Sequence, residues 1–581
     1  MSREILVKLM TTRAKRAISE SLTFTLPKVR VKVNQGTVRG CQEKLPDGRP
    51  FFRFSGIPFA KPPVNELRFQ SPQKLLKFNK EEIDCTREGD MCRHKHVVWR
   101  SFQGSEDCLH LNVYTPADKD STKKFPVMVF IHGGGFGLDS NRRDFYSPEY
   151  LVMEDVIVVT VNYRLHVLGW ASLPSMGISG NAGLKDQQMA LEWVNENIAN
   201  FNGDPNNVTL FGESAGAACT HLHLLNKKSK KFVNKAILQS GTANMDWVIQ
   251  RDGPEKTRRS AIFCGSKGTT DREHYEHLMK ADPDKMYLSC FKVPDADEKR
   301  RAMPMNIKPV LEQESDDAFI TKLPIQIIKE NEGKYDTPLM IGCNNGDGMT
   351  QIAPFRKKLQ VFANDMCKFI PISLNIDIDS DEAKKLAKRI EKFYFGDRGL
   401  HSGTLPLLVN LCTDYHFAVP MTLTNELYAK YQPNTTQYVY ELGLATKLNF
   451  LKIVSGMADV PGAGHFDELC YLFDHKITGN NFPEHSREYQ ARKMVCHLWT
   501  NFAKYGEPTP NHDTTSTIKW HPARAAERDA EDVQIDYLTI DNDEVVMKKN
   551  LYKERIDFWR SIYEEYNGSF ENPMFQDCYY K

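Results

Sequence analysis

Val208-Thr209-Leu210-Phe211-Gly212-Glu213-Ser214-Ala215-Gly216-Ala217-Ala218 decides how this chain is read. A short apolar run rich in strand formers, Val208–Phe211, is followed at once by Gly212-Glu213-Ser214-Ala215-Gly216 and then by residues compatible with a helix. A backbone that passes from strand to helix in so few residues must turn sharply, which strains the serine and exposes its hydroxyl. Side chains two positions to either side of Ser214 would collide across such a turn, hence glycine at both. The helix that follows points its positive end at the serine and favours negative charge developing there. A G-x-S-x-G pattern alone is weak. In this strand–turn–helix setting it makes Ser214 a candidate nucleophile, against the plainer reading of an ordinary strand-to-helix turn.

Working outward, Phe125–Ile131, Val156–Val161, Ala236–Leu238 and Leu339–Gly342 also read as buried strands, and Leu184–Ala199 has helical spacing. Near-continuous apolar strands separated by helices indicate an α/β protein with a large, mostly parallel sheet covered on both faces. Sites in such sheets form at the carboxyl ends of the strands. There lies a second element, Ile131-His132-Gly133-Gly134-Gly135-Phe136-Gly137. Glycines after a buried strand leave backbone N–H groups free, and a reaction at a carbonyl needs fixed donors where the oxyanion forms. A tight turn needing positive φ is the alternative. No G-K-[ST] follows, which disfavours a phosphate loop.

Composition narrows the class further. The 581 residues carry 76 Lys+Arg against 75 Asp+Glu, so no basic excess points to nucleic acid. Hydrophobic residues make up 41% and charged residues 26%, a globular balance. No apolar run approaches the length of a membrane span. The 13 cysteines are scattered without a CxxC pair, which argues against a zinc site or a disulfide-stapled scaffold and suits buried small hydrophobes. His221 and His223, two apart on the presumed helix, would point to different faces and make no metal site. There is no internal repeat, and the only composition break falls near Ser21–Lys28. The chain therefore divides into residues 1–24 and a single catalytic domain over 25–581. In the first segment Leu6, Leu9, Met10, Ala14, Ala17 and Ile18 recur at helical spacing among five basic residues. That is the pattern of an amphipathic helix on a membrane surface, with a helix packed on its own domain as the alternative. It is a poor secretory signal, and Glu4 and Glu20 weaken a mitochondrial reading. This points to an intracellular, cytoplasmic protein, peripheral on membranes or lipid droplets through residues 1–24, and leaves secretion open.

The chain resembles a type-B carboxylesterase, the cholinesterase-like branch of the α/β-hydrolase fold, and within it most the insect α-esterases. The matching motifs run through nearly its whole length: Phe54-Ser55-Gly56-Ile57-Pro58-Phe59-Ala60-Lys61-Pro62-Pro63, Ser105-Glu106-Asp107-Cys108-Leu109-His110-Leu111-Asn112-Val113-Tyr114, the glycine loop, Asn162-Tyr163-Arg164-Leu165, Gly180-Asn181-Ala182-Gly183-Leu184-Lys185-Asp186-Gln187, and the Ser214 turn. The resemblance implies a parallel sheet with long inserted helical segments and a serine, a carboxylate and a histidine in that chain order. The histidine falls on His465, in Gly462-Ala463-Gly464-His465-Phe466-Asp467-Glu468. The acid falls on Asp347, in Asn344-Asn345-Gly346-Asp347-Gly348, where the family usually has Glu. One methylene fewer withdraws the carboxylate by about 1.5 Å, so the loop must advance, which Gly346 and Gly348 permit. Gly134, Gly135 and Ala215 align with the oxyanion-hole amides, and Trp247 with an aromatic of the acyl pocket, a core tryptophan being the alternative. Cys108 aligns with a half-cystine of secreted relatives, with Cys85 or Cys92 as partner. Asn207, Asn434 and Asn567 stand in N-x-[ST] triplets, and the C-terminal Asp577-Cys578-Tyr579-Tyr580-Lys581 lacks an ER-retention tetrapeptide.

The implied enzyme is a carboxylesterase without metal or cofactor, open to organophosphates, acting on small hydrophobic esters of lipid or xenobiotic origin. Two other readings stand beside it: a slow-turnover binder that sequesters toxic esters, and a non-catalytic adhesion protein of the same fold.

Overall fold

Successive side chains of Phe125–Ile131 enter two different dry layers. Val127, Val129 and Ile131 join Val159, Val161, Leu210, Leu238 and Ile341 in one hydrophobic cluster. Met128 and Phe130 join Val158, Phe211, Ile237, Met340 and Leu538 in another. A strand apolar on both faces is stable only where helices cover both sides of the sheet. The computed structural model describes residues 25–117, 122–301, 307–475, 482–515, 517–527, 530 and 533–571, and this arrangement governs them.

The sheet is built from β1 (Lys28–Val33), β2 (Gly36–Lys44), β3 (Pro50–Pro58), β4 (His110–Pro116), β5 (Phe125–Ile131), β6 (Ile157–Val161), β7 (Gly203–Glu213), β8 (Lys235–Gln239), β9 (Leu339–Asn344), β10 (Gln437–Leu442), β11 (Asp536–Ile540) and β12 (Val545–Lys549). Its order is β1-β2-β3-β4-β6-β5-β7-β8-β9-β10-β11-β12, with the short strand Glu82–Asp84 pairing with β2. From β6 to β11 every pairing is parallel; the remaining pairings in that order are antiparallel, and Glu82–Asp84 lies parallel to β2. The expected strands are all present: Phe125–Ile131 as expected, β8 and β9 two residues longer, β6 one residue shorter, and β7 extended to Gly203–Glu213 from the expected Val208–Phe211. The expected helix is α1 (Ala182–Asn197), followed by a 3₁₀ turn, Ile198–Phe201. It buries Leu184, Leu191, Trp193 and Val194 against the first cluster. Three further helices matter below: α2 (Ala215–Leu225), α3 (Val419–Tyr431) and α4 (Arg487–Tyr505). Val495, Leu498, Trp499 and Phe502 of α4 cover the opposite face at i, i+3, i+4, i+7 spacing.

Two of the quoted motifs meet in a buried ion pair. Arg164, just beyond β6, donates from Nε (2.8 Å) and Nη2 (2.7 Å) to the two oxygens of Asp186 in α1. Removing either partner would strand a buried charge, a loss of about 3–5 kcal/mol. The pair fixes α1 to the carboxyl end of the sheet, where the glycine loop and Ser214 lie.

Cys108 is bridged to Cys92, and Cys85 is a buried free thiol. The loop between the bridged pair holds a small hairpin, His94–Lys95 with Phe102–Gln103, and His94 Nε2 accepts from the Asp139 amide beyond the glycine loop (3.3 Å). The other cysteines among the described residues are buried and free. No described helix is long and apolar enough to cross a membrane. The amphipathic segment 1–24 and the C-terminal residues 572–581 lie outside the described residues.

Candidate active site

Strand β7 ends at Glu213 and α2 begins at Ala215, so Ser214 alone makes the turn, at φ 57°, ψ −124°. That conformation is costly for a residue with a side chain and is held by what surrounds it. The flanking glycines are required sterically: a Cβ on Gly216 would stand 2.0 Å from the Ile131 carbonyl oxygen, and one on Gly212 2.5 Å from the Gly216 carbonyl carbon. Ser214 is 8% exposed, and its hydroxyl has no hydrogen-bond partner among the described residues. Its amide donates to the Gln239 carbonyl (2.8 Å), which ties the turn to the end of β8.

The glycine loop leaves β5 beside this turn. Gly134 (φ 91°) and Gly135 (φ 59°) are left-handed, and a Cβ on Gly133 would lie 3.2 Å from Ser214 Cβ. The Gly134 carbonyl accepts from Gly137 (3.1 Å) and Leu138 (3.2 Å), which rolls the loop up. Tyr163 stacks on His132 with ring centres 4.5 Å apart and donates to its carbonyl at 2.8 Å. Among the described residues, the N–H groups of Gly134, Gly135 and Ala215 have no protein acceptor. Fixed, unoccupied donors at a helix N-terminus suit a developing oxyanion.

His465 and Asp347 come from loops that are themselves bonded together. Gly346 donates to the Ala463 carbonyl (2.9 Å), and Ala463 donates to Asn345 Oδ1 (2.9 Å). The acid loop thus reaches the histidine loop through its backbone, and the short side chain suffices. Asp347 Oδ1 lies 2.8 Å from His465 Nδ1, while Oδ2 accepts from the Asn344 amide at 3.0 Å. No hydrogen bond joins Ser214 Oγ to His465. The other imidazole nitrogen, Nε2, faces Glu213 Oε1 at 3.1 Å, one residue before the serine. Unliganded sites often hold such bonds open until substrate binds.

Two further acids meet at the site, Glu213 of the serine turn and Glu468 of the histidine motif, neither of which the sequence alone marks as functional. Both are buried beside His465, and Glu468 accepts from Asn344 Nδ2, whose amide also donates to the Gly464 carbonyl (2.8 Å). Burial pushes the Glu213 carboxyl up, against the pull of His465. Burial, joined by the charges of Glu213 and Asp347, pushes Glu468 well above the usual carboxylate range. For His465, burial alone would depress the imidazole, but Glu213, Asp347 and Glu468 together reverse this and hold it above its ordinary value. Several acids crowded around one imidazole cannot all ionise, and the cationic imidazole is favoured. The signals that could have found them were local: an acid inside the serine turn, and the acidic pair after His465.

Trp247 is buried, and its Nε1 donates to the His416 carbonyl at 3.0 Å. It is 6.3 Å, centre to centre, from both Phe136 of the glycine loop and Phe417, and Phe417 lies 4.7 Å from the His465 ring. Phe417 sits in a π-helical turn, Asp414–Ala418, where an extra residue per turn turns side chains out of helical register. The tryptophan is therefore both buried and part of an aromatic wall that runs to the histidine. His221 and His223 serve the interior: His221 Nδ1 accepts from the Ala243 amide (3.0 Å), and His223 Nε2 lies 2.9 Å from Gln187 Oε1.

A strained serine between strand and helix, at the carboxyl end of a mostly parallel sheet flanked by helices, defines a hydrolase of the α/β-hydrolase fold. The carboxylesterase family model matches residues 27–559. A carboxylic ester hydrolase of Bombus ignitus is 30% identical over 547 residues, covering 92% of this chain and 94% of its own. A juvenile hormone esterase of Tribolium castaneum is 32% identical over 504 residues, covering 83% and 84%. The crystal structure of juvenile hormone esterase from Manduca sexta, with OTFP covalently attached, superposes with a TM-score of 0.79 at 28% identity, over 92% of this chain and all of that one. The chain belongs to the carboxylesterase family and is a carboxylic ester hydrolase.

Proposed function

We propose that Ser214 is the nucleophile, His465 the general base and acid, and Asp347 the residue that orients the imidazole. The observation that carries this reading is the 2.8 Å bond between Asp347 and His465, set beside a strained serine and three N–H groups without a protein acceptor. In the acylation step Ser214 Oγ attacks the ester carbonyl as His465 Nε2 takes its proton. The amides of Gly134, Gly135 and Ala215 receive the oxyanion, and Asp347 stabilises the imidazolium. The imidazolium returns the proton to the departing alcohol. A water activated by the same nitrogen then releases the acid, and no metal or cofactor enters.

The substrates are small esters, and we assign them to the neutral, hydrophobic class, of lipid or xenobiotic origin. Trp247, Phe136 and Phe417 support that choice. One catalytic unit over residues 25–581 is supported by a sheet that runs without a break from Lys28 to Lys549. Residues 1–24 are assigned to contact with a lipid surface on their basic amphipathic pattern alone. The bridged Cys92–Cys108 pair favours an oxidising compartment over the cytoplasmic location that the N-terminus suggested.

Hydrolysis of a nitrophenyl ester followed through the first turnover tests the assignment. A burst of one equivalent followed by sustained turnover is expected. A burst without turnover would make the protein a sequestering binder, and no burst and no turnover would make it non-catalytic.

A further inference from the structure

Ester hydrolysis leaves three features of the sequence without a role: the N-x-[ST] triplets at Asn207, Asn434 and Asn567. The fold treats them differently. Asn207 lies within β7, where its Oδ1 accepts from Lys235 Nζ and its Nδ2 donates to the Lys504 carbonyl (3.3 Å). Asn567, the last residue of the helix Lys553–Asn567, is 3% exposed. Asn434 stands at the tip of the turn between α3 and β10, with Pro433 and Thr436 exposed beside it. Only there does an added group meet open solvent.

We propose that Asn434 carries an N-linked oligosaccharide. The turn presents this residue rigidly. Thr435 Oγ1 donates to the Tyr335 carbonyl (3.0 Å), the Thr436 carbonyl accepts from the Leu339 amide (2.8 Å), and Gln432 Nε2 donates to the Ile328 carbonyl (2.7 Å). The acceptor atom is Asn434 Nδ2, which donates to the Gly333 carbonyl at 3.0 Å. It has two protons, so one is free for replacement while the other keeps this bond. In the transfer, Nδ2 attacks the anomeric carbon of a lipid-linked oligosaccharide pyrophosphate. The Nδ2–C1 bond forms, the C1–O bond to the pyrophosphate breaks, one Nδ2 proton passes to a base, and the lipid pyrophosphate leaves.

A second, independent observation points the same way. The Cys92–Cys108 bridge belongs to the oxidising compartments in which this transfer takes place. The position is also harmless to catalysis. Strand β10 runs parallel to β9, with Gln437 opposite Leu339. Asn434 therefore lies at the amino end of these strands, whereas Asp347 follows the carboxyl end of β9. An oligosaccharide there points away from the site.

The test is peptide mapping of the full chain expressed in insect cells, without reduction, before and after digestion with a peptide-N-glycosidase, with ester hydrolysis of the same sample as the measure of folding. The expected result is a glycan on the Asn434 peptide, absent from Asn434→Gln and retained in Asn207→Gln, with Cys92–Cys108 bridged and kcat/KM unchanged by deglycosylation. Active protein with unmodified Asn434, or with its glycan on Asn207 or Asn567, would overturn the proposal.

Discussion

Replacing Asp347 by Asn alters no volume and two hydrogen bonds. The carboxylate accepts from His465 Nδ1 at 2.8 Å on one oxygen and from the Asn344 amide at 3.0 Å on the other, and it is fully buried. Both partners donate. An amide has a single oxygen and can satisfy only one of them. If that oxygen keeps the Asn344 bond, its NH₂ faces Nδ1 and holds the imidazole proton on Nε2, where the ring cannot take a proton from Ser214. If the oxygen turns to Nδ1, the NH₂ meets the Asn344 N–H, and two buried donors are left unsatisfied at about 1–3 kcal/mol. The active tautomer is thereby depleted by roughly 5- to 150-fold, at about 1.36 kcal/mol per decade. Loss of the charge that stabilises the imidazolium adds to this, and the equivalent change in the serine-protease example lowers kcat by about 10⁴-fold. We expect kcat/KM for a nitrophenyl ester to fall by about 10²- to 10⁴-fold in Asp347→Asn, with an unchanged circular dichroism spectrum. Asp347→Glu restores the family's usual acid but pushes about 1.5 Å of extra chain into a filled site, so its activity should lie between Asp347→Asn and the parent. Full activity in Asp347→Asn would refute the reasoning and mean that another acid, or none, serves His465.

Three further outcomes follow from the same geometry. His465 acts as a base only when deprotonated, and its raised pKa places the acidic limb of the kcat/KM–pH profile above that of an ordinary histidine. Glu213→Gln removes a charge 3.1 Å from Nε2, worth about 1.3 kcal/mol even at the dielectric of water, and should move that limb down by about one unit or more; a stationary limb would contradict it. In Gly134→Ala, a Cβ 2.2 Å from the Leu138 carbonyl oxygen displaces the loop. kcat should then drop by about 10²- to 10³-fold, the cost of an oxyanion donor, and undiminished kcat would remove Gly134 from that role. Deleting residues 1–24 should weaken binding to anionic vesicles in a salt-sensitive way, at roughly 1 kcal/mol per basic residue near the surface, and leave solution hydrolysis intact. Equal vesicle binding with and without the segment would return it to a plain surface helix.

What was legible in the sequence was what local geometry dictates. The serine turn can be read because two glycines, a strand and a helix must coincide within a few residues. The central strands can be read because burial on both faces leaves Phe125–Ile131 without a polar position and Ile157–Val161 with Thr160 as its single one. Features that depend on distant loops meeting were not legible. The contact of Glu213 with His465 requires the histidine loop to fold over the end of β7. The choice of Cys92 rather than Cys85 as partner of Cys108 rests on the hairpin between residues 94 and 103. The three asparagine triplets are equivalent as sequence and become distinct only when Asn207 enters a strand and Asn567 is covered. How the shorter side chain of Asp347 reaches His465 was not legible either, because it depends on the bonds from the Gly346 amide to the Ala463 carbonyl and from the Ala463 amide to Asn345 Oδ1.

The central claim is that Ser214 alone among the serines is activated. Stoichiometric reaction with an organophosphate, followed by peptide mapping, addresses it directly, because only an activated serine attacks a neutral phosphoryl centre at a useful rate. The account predicts one equivalent of label, all on Ser214, and none in Ser214→Ala. Label on another residue, or labelling undiminished in Ser214→Ala, would contradict it.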